Sequence, residues 1–118
     1  MMYIEKRIPQ HKYAQARMYS ITPNVGCGES EWGLISYSTI VIRVKNMRLV
    51  VTGTYSATTR KHIGWWLHSQ YTHLTYQGIK KLANDMLALD LTTGEVVTLT
   101  QEEKDFINAE RSSVCYGY

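Results

Sequence analysis

No stretch of the 118-residue chain approaches the roughly 18 consecutive apolar residues that a membrane-spanning helix needs, so no span is expected. The opening MMYIEKRIPQHKYAQ carries charge but no apolar h-region, so no secretory signal is expected either. Two cysteines, Cys27 and Cys115, stand far apart and form no C-x-x-C pair. The expected state is two reduced thiols in the cytoplasm, and a disulfide between them is the alternative. The four histidines make no H-E-x-x-H, and no Cys/His spacing matches a zinc finger. No metal and no cofactor are therefore expected. G-x-S-x-G is absent. Cys27 in VGCGES is flanked by glycines, but a lone loop cysteine is a weak case for a nucleophile. GTYSATTRK matches neither glycine-rich phosphate motif, although its Ser/Thr turn with Arg60 and Lys61 could hold a phosphate on backbone N–H groups. The patterns of the RRM, KH, zinc-finger and basic-zipper modules are also missing. The sequence therefore reads as a non-enzyme, without a recognised nucleic-acid module.

What is present is ordinary globular composition, 44% hydrophobic and 19% charged, in a chain sized for one domain. The charge is uneven. Residues 1–81 carry eleven Lys and Arg against three Glu, a balance of +8. Residues 82–118 carry two cations against seven carboxylates, a balance of −5, which brings the whole to +3. Either one face suits an acidic partner, or the two parts pair with each other or with a second copy. Tyrosine supplies nine of the aromatics and phenylalanine one, a bias toward interfaces, so some tyrosines are expected on the surface.

Residues 1–33 read as an N-terminal strand and loop region in which Pro9 and Pro23 bracket the first candidate element. LISYSTIVIRV alternates, with Ile40, Ile42 and Val44 on one face and Thr39, Val41 and Arg43 on the other. KNM at 45–47 makes a turn and RLVVTGTY returns, which predicts a β-hairpin over 34–55. Ser56 or Thr58 caps a helix over about 58–70, with Ile63, Trp66 and Leu67 inward and Trp65 about 100° away, exposed. A second helix is predicted over 75–89, capped by Thr75, with Ile79, Leu82, Ala83, Met86 and Leu87 as its apolar stripe. A turn at Gly94 and a short strand at 96–99 follow. TQEE at 100–103 is a capping box for a third helix over 101–110, with Phe106, Ile107 and Ala109 inward and Glu102, Glu103 and Asp105 as a solvated face. The fold class is thus α+β: an antiparallel sheet containing the hairpin, packed against two or three helices in the 56–111 part.

Cations at the start of the first helix oppose its dipole by some tenths of a kcal/mol each. An anion would explain them: a partner's carboxylate, an internal one, or a nucleic-acid phosphate. The expected partner-binding residues are Arg43, Lys45, Arg48, Tyr55, Arg60, Lys61, His62 and Trp65, with no catalytic and no metal-ligating residue. The bland alternative is that Arg60 and Lys61 are simply solvated and both tryptophans pack.

SYSTIVIRV…LVVTGTYSATTRKHIGWWL, residues 36–67, resembles small proteins of phages and mobile elements of Gram-positive bacteria. The resemblance lies in an apolar hairpin followed by a YS-x-TT-x-KHI helix start, here Tyr55, Ser56, Thr58, Thr59, Lys61, His62 and Ile63. It covers about a quarter of the chain, is not a catalytic signature, and brings no functional residue with it. What it implies is a setting in a bacterial host's cytoplasm. There a non-enzymatic inhibitor would bind a host defence protein or nucleoprotein and block it sterically, an anti-CRISPR protein on a Cas effector being the most specific version. The net basic charge argues against an acidic mimic of DNA. Direct nucleic-acid binding by the hairpin and helix start is the alternative, a small enzyme is a remoter one, and a homodimer is compatible with both binding readings.

Overall fold

In a computed structural model of the chain, the structure describes residues 2–7, 16–22, 30–54, 57–69 and 74–112. Seven strands, β1 (Met2–Arg7), β2 (Ala16–Thr22), β3 (Glu31–Ser36), β4 (Thr39–Lys45), β5 (Arg48–Val51), β6 (Leu87–Asp90) and β7 (Val96–Thr98), form one sheet in chain order. Every neighbouring pair is antiparallel. Helices α1 (Ala57–Ser69) and α2 (Tyr76–Asp85) lie between β5 and β6 in the chain, and α3 (Gln101–Ser112) follows β7. The α+β class is as the sequence indicates. No helix among the described residues is long and apolar enough to cross a membrane.

The stretch 34–44 is not one strand. Tyr37 adopts φ +57°, outside the extended range, and β3 ends at Ser36 before β4 begins at Thr39. Two hairpins replace the one expected. The β4–β5 turn is at Asn46 and Met47, whose φ values of 55° and 58° give the double left-handed geometry that suits a twisted two-residue hairpin. The simple alternation also fails. Leu34 pairs with Ile42 and Ile35 with Ile40, so Val41 is the extra residue of a bulge. Val41 therefore joins Ile42 and Val44 in the same core rather than facing away with Arg43.

The core lies on both faces of the sheet. On one, Leu34, Ile42, Val44, Leu49, Val51 and Leu89 meet Ile63, Trp66 and Leu67 of α1 and Ile79, Leu82 and Ala83 of α2. On the other, Val50 and Ala88 meet Leu99 and Ile107, with Phe106 packed alongside. Neighbours such as Leu49 and Val50 thus serve opposite layers, as strand alternation requires. Trp65 is half-buried and packs on the edge of the first cluster, which corrects its expected exposure.

Helix α2 is shorter than expected. Thr75 caps it as expected, its Oγ1 accepting from the Gly78 N–H at 3.1 Å. Met86, in the left-handed region, ends it by donating its N–H to the Leu82 carbonyl. Leu87–Asp90 then pairs with β5 and β7, so strand pairing overrides a helical apolar period. The α3 capping box is present, with the Glu103 N–H donating to Thr100 Oγ1 at 3.2 Å and Glu103 Oε1 accepting from the Thr100 N–H at 2.8 Å. Ala109 is exposed, against expectation.

Candidate functional site

Two of the expected surface residues, Arg43 and His62, turn inward, and a third, Arg48, is paired within the protein. Arg43 is only 4% exposed. Its guanidinium donates both terminal nitrogens to Glu102, at 2.8 Å each, and lies 4.1 Å from the Phe106 ring centroid. Arg48 donates Nε and Nη2 to Glu103 at 2.8 and 2.9 Å, and Nη2 also donates to the Thr98 carbonyl. His62 is fully buried. Its Nδ1 is 2.7 Å from Ser36 Oγ, which is 3.1 Å from Thr59 Oγ1, and the Tyr37 ring lies 5.9 Å away. This pairing of a serine with a histidine ties β3 to α1 and is closed to solvent. All three are engaged with other groups within the protein.

The basic hairpin end is therefore neutralised from within. Glu102 is 57% exposed on its outer side and also stands 3.8 Å from Lys45. Glu103, read from sequence as solvated, is 4% exposed, because one carboxylate both caps α3 and pairs with Arg48. A cavity of about 250 Å³ remains there, lined by Arg43, Lys45, Asn46, Arg48, Thr100, Glu102 and Glu103. Of the two options for the uneven charge, this part follows the internal one.

The carboxylates respond accordingly. The hydrogen bond from Arg43 holds Glu102 below the ordinary carboxylate range, against the smaller pull of its partial burial. Burial is the largest influence on Glu103 and raises it, but Arg48 and the Thr100 N–H together outweigh burial, and the net shift is downward. Burial raises Glu110, against the hydrogen bond it accepts from the Ile40 N–H. A lowered carboxylate stabilises the fold above its unfolded pKa and loses that effect as pH falls through the folded value. Glu110 has the opposite sign, its contribution fading as pH rises. The melting-temperature gap between wild type and Glu103→Gln is expected to be widest near neutrality and to close below about pH 4.5. Thermal melts across that range check it, and a gap that stays constant would contradict it.

Among the described residues, one group of surface cations lies on the outer layer formed by α1 and α2. Arg60 and Lys61 of α1, and Lys80 and Lys81 of α2, are exposed, and Asp85 is the one carboxylate on either helix. No acidic residue stands in the first turn of α1. Arg60 is instead held 4.6 Å from the Tyr76 ring centroid. At an exposed site that contact is worth about 0.5–1 kcal/mol, enough to offset the helix dipole. Lys80 follows Tyr76 by four residues and shares its face of α2, so Arg60, Tyr76 and Lys80 form a continuous track. The helical period puts Lys80 and Lys81 beside the α2 stripe, but their distance in sequence from Arg60 conceals the shared surface.

Beside this face, Leu74, Leu82, Leu87, Leu89 and Val96 line an apolar cavity of about 260 Å³, with Lys81 and Asp85 also on its wall. Val96 is 56% exposed there, at the edge strand. Tyr55, Cys27 and Cys115 lie outside the described residues. No three His, Cys, Asp or Glu among the described residues are grouped to hold a metal ion.

No curated protein and no solved structure matches the chain. Residues 4–81, from β1 into α2 and more than half of the chain, match the model of DUF8033, a family of unknown function, and the chain belongs to that family.

Proposed function

We propose that this protein is a non-enzymatic inhibitor of the phage type, which docks on a host nucleoprotein and blocks it sterically. In its most specific form the target is a CRISPR–Cas effector in the cytoplasm of the bacterial host. The observation that carries the reading is the outer α1–α2 face, where four exposed cations stand against the single carboxylate of Asp85. Such a face draws an acidic surface and repels a basic one. The apolar cavity that shares Lys81 with this face adds an uncharged contact for a protein component. The inhibitor setting itself comes from the resemblance of residues 36–67.

The test is a pull-down from a Gram-positive lysate with wild type and with Arg60→Glu/Lys61→Glu, each split into nuclease-treated and untreated halves. The expected result is a host nucleoprotein captured by wild type and not by the double variant, which keeps its fold by circular dichroism. Equal capture by both proteins would show that the docking face lies elsewhere.

A further inference from the structure

Helix α1 contains a glycine that nothing among the described residues explains. Gly64 sits in the middle of Ala57–Ser69, where glycine destabilises a helix relative to alanine. Its φ is not positive, and beyond the backbone of its own helix a Cβ built on it would meet no described atom within 4 Å. No described neighbour requires a glycine there. Gly33, by contrast, is fixed by a close approach of backbone.

The position of Gly64 gives it a meaning. The exposed residues of α1 are Ala57, Arg60, Lys61, Gly64 and His68. At about 100° per residue they fall within one arc of about 100°, with Arg60 and Lys61 at its two rims and Gly64 between them. Two cations thus flank a strip made by Ala57, Gly64 and His68, which is bare of side chain at Gly64. Arg60 is steadied by Tyr76, so its remaining N–H groups face out from a fixed place. The sequence of α1 contains no carboxylate at all. A linear polyanion fits such a strip, because it needs close approach along one line and charge on both sides.

The geometry points to a sugar-phosphate backbone as the group that seats on α1, with Gly64 its point of closest approach and Arg60 and Lys61 its phosphate contacts. This rests on the α1–α2 face being the docking face, and it names the nucleic-acid strand of the nucleoprotein as what that face touches. An acidic protein surface is the competing occupant. Its carboxylates are carried on flexible side chains that reach the two cations without approaching the helix backbone, and so give no reason for the glycine.

The experiment pairs stability with binding in Gly64→Ala. Alanine fits the open space, so the variant is expected to melt about 3–5 °C above wild type. Binding is read by anisotropy with labelled single-stranded and duplex DNA and RNA oligonucleotides across a salt series, with polyglutamate as the carboxylate probe. Wild type is expected to bind an oligonucleotide with an affinity that falls steeply with salt. Gly64→Ala is expected to bind about tenfold more weakly despite its higher melting temperature, because the added methyl group holds the phosphates away from Arg60 and Lys61. Arg60→Ala/Lys61→Ala is expected to lower the salt slope by about two, one for each phosphate. A stabilised Gly64→Ala that binds as wild type does would overturn the role of Gly64. Polyglutamate binding with no oligonucleotide binding, or neither bound, would overturn the phosphate assignment and leave the docking face standing if host capture still fails in Arg60→Glu/Lys61→Glu. Capture that survives that double variant would remove the face itself.

Discussion

Replacing Trp66 with alanine is expected to cost about 3–5 kcal/mol, because a large buried side chain leaves a cavity that the surroundings refill only in part. Trp66 is 1% exposed and stands with Ile63 and Leu67 on the one stripe by which α1 holds the sheet. The Ser36 hydrogen bonds with Thr59 and His62 add a polar tie between α1 and β3, but they bury no comparable apolar area. Trp65→Ala is expected to cost clearly less, since Trp65 is half-buried at the edge of that cluster. Denaturant unfolding measures both. A Trp66→Ala protein within about 1 kcal/mol of wild type would be far outside the range for a buried tryptophan, and would mean α1 is not seated as described.

Gly33→Ala is the second large effect, and it works by overcrowding. A Cβ at Gly33 would lie 1.9 Å from the Ile42 carbonyl oxygen and 2.9 Å from the Tyr19 ring. The oxygen belongs to the backbone of the paired strand and cannot rotate away. The Tyr19 ring lies across the strand pair from Gly33 and is itself held, its hydroxyl donating to Glu31 at 2.8 Å. One added methyl group must therefore part β3 from β4 beside the bulge. Overpacking costs about 1–3 kcal/mol where side chains can give way, and here the upper end or more is expected. An unchanged midpoint in Gly33→Ala would contradict the close approach of these two strands.

Much of the fold was legible because its signals are local. The caps of α2 and α3 are single hydroxyls at fixed offsets, and both Thr75 and Thr100 act as the sequence indicates. The apolar period of α1 placed Ile63, Trp66 and Leu67 correctly. Errors came where a non-local interaction or one backbone angle decides. Tyr37 breaks a stretch whose alternation shows no break, since tyrosine is not a residue that announces a left-handed φ. The bulge at Val41 is a matter of register between strands, which one strand's pattern does not contain. Leu87 carries on the α2 apolar period yet belongs to β6, because β5 and β7 offer it backbone partners.

The candidate site shows the same division. Exposure at Arg60 and Lys61 follows from their place on the helix, and both stayed on the surface. The pairing of Arg43 and Arg48 depends on α3, more than fifty residues away, whose acidic first turn looked like solvated surface. The uneven charge between the two parts of the chain was the one sequence signal of that pairing, and it did not say which cations it would consume. His62 lies next to the exposed Lys61 and turns into the core, a difference of one residue that separates surface from interior.

The most direct measurement compares the two basic patches at equal stability. Arg60→Glu/Lys61→Glu/Lys80→Glu/Lys81→Glu changes the outer face of α1 and α2, and Lys45→Glu changes the hairpin end that Glu102 already neutralises in part. Quantified capture of the proposed nucleoprotein target is expected to vanish with the first protein and to stay near wild type with the second, both folded by circular dichroism. Capture retained by the helix variant and abolished in Lys45→Glu would place the docking surface on the hairpin and contradict the assignment made to α1 and α2.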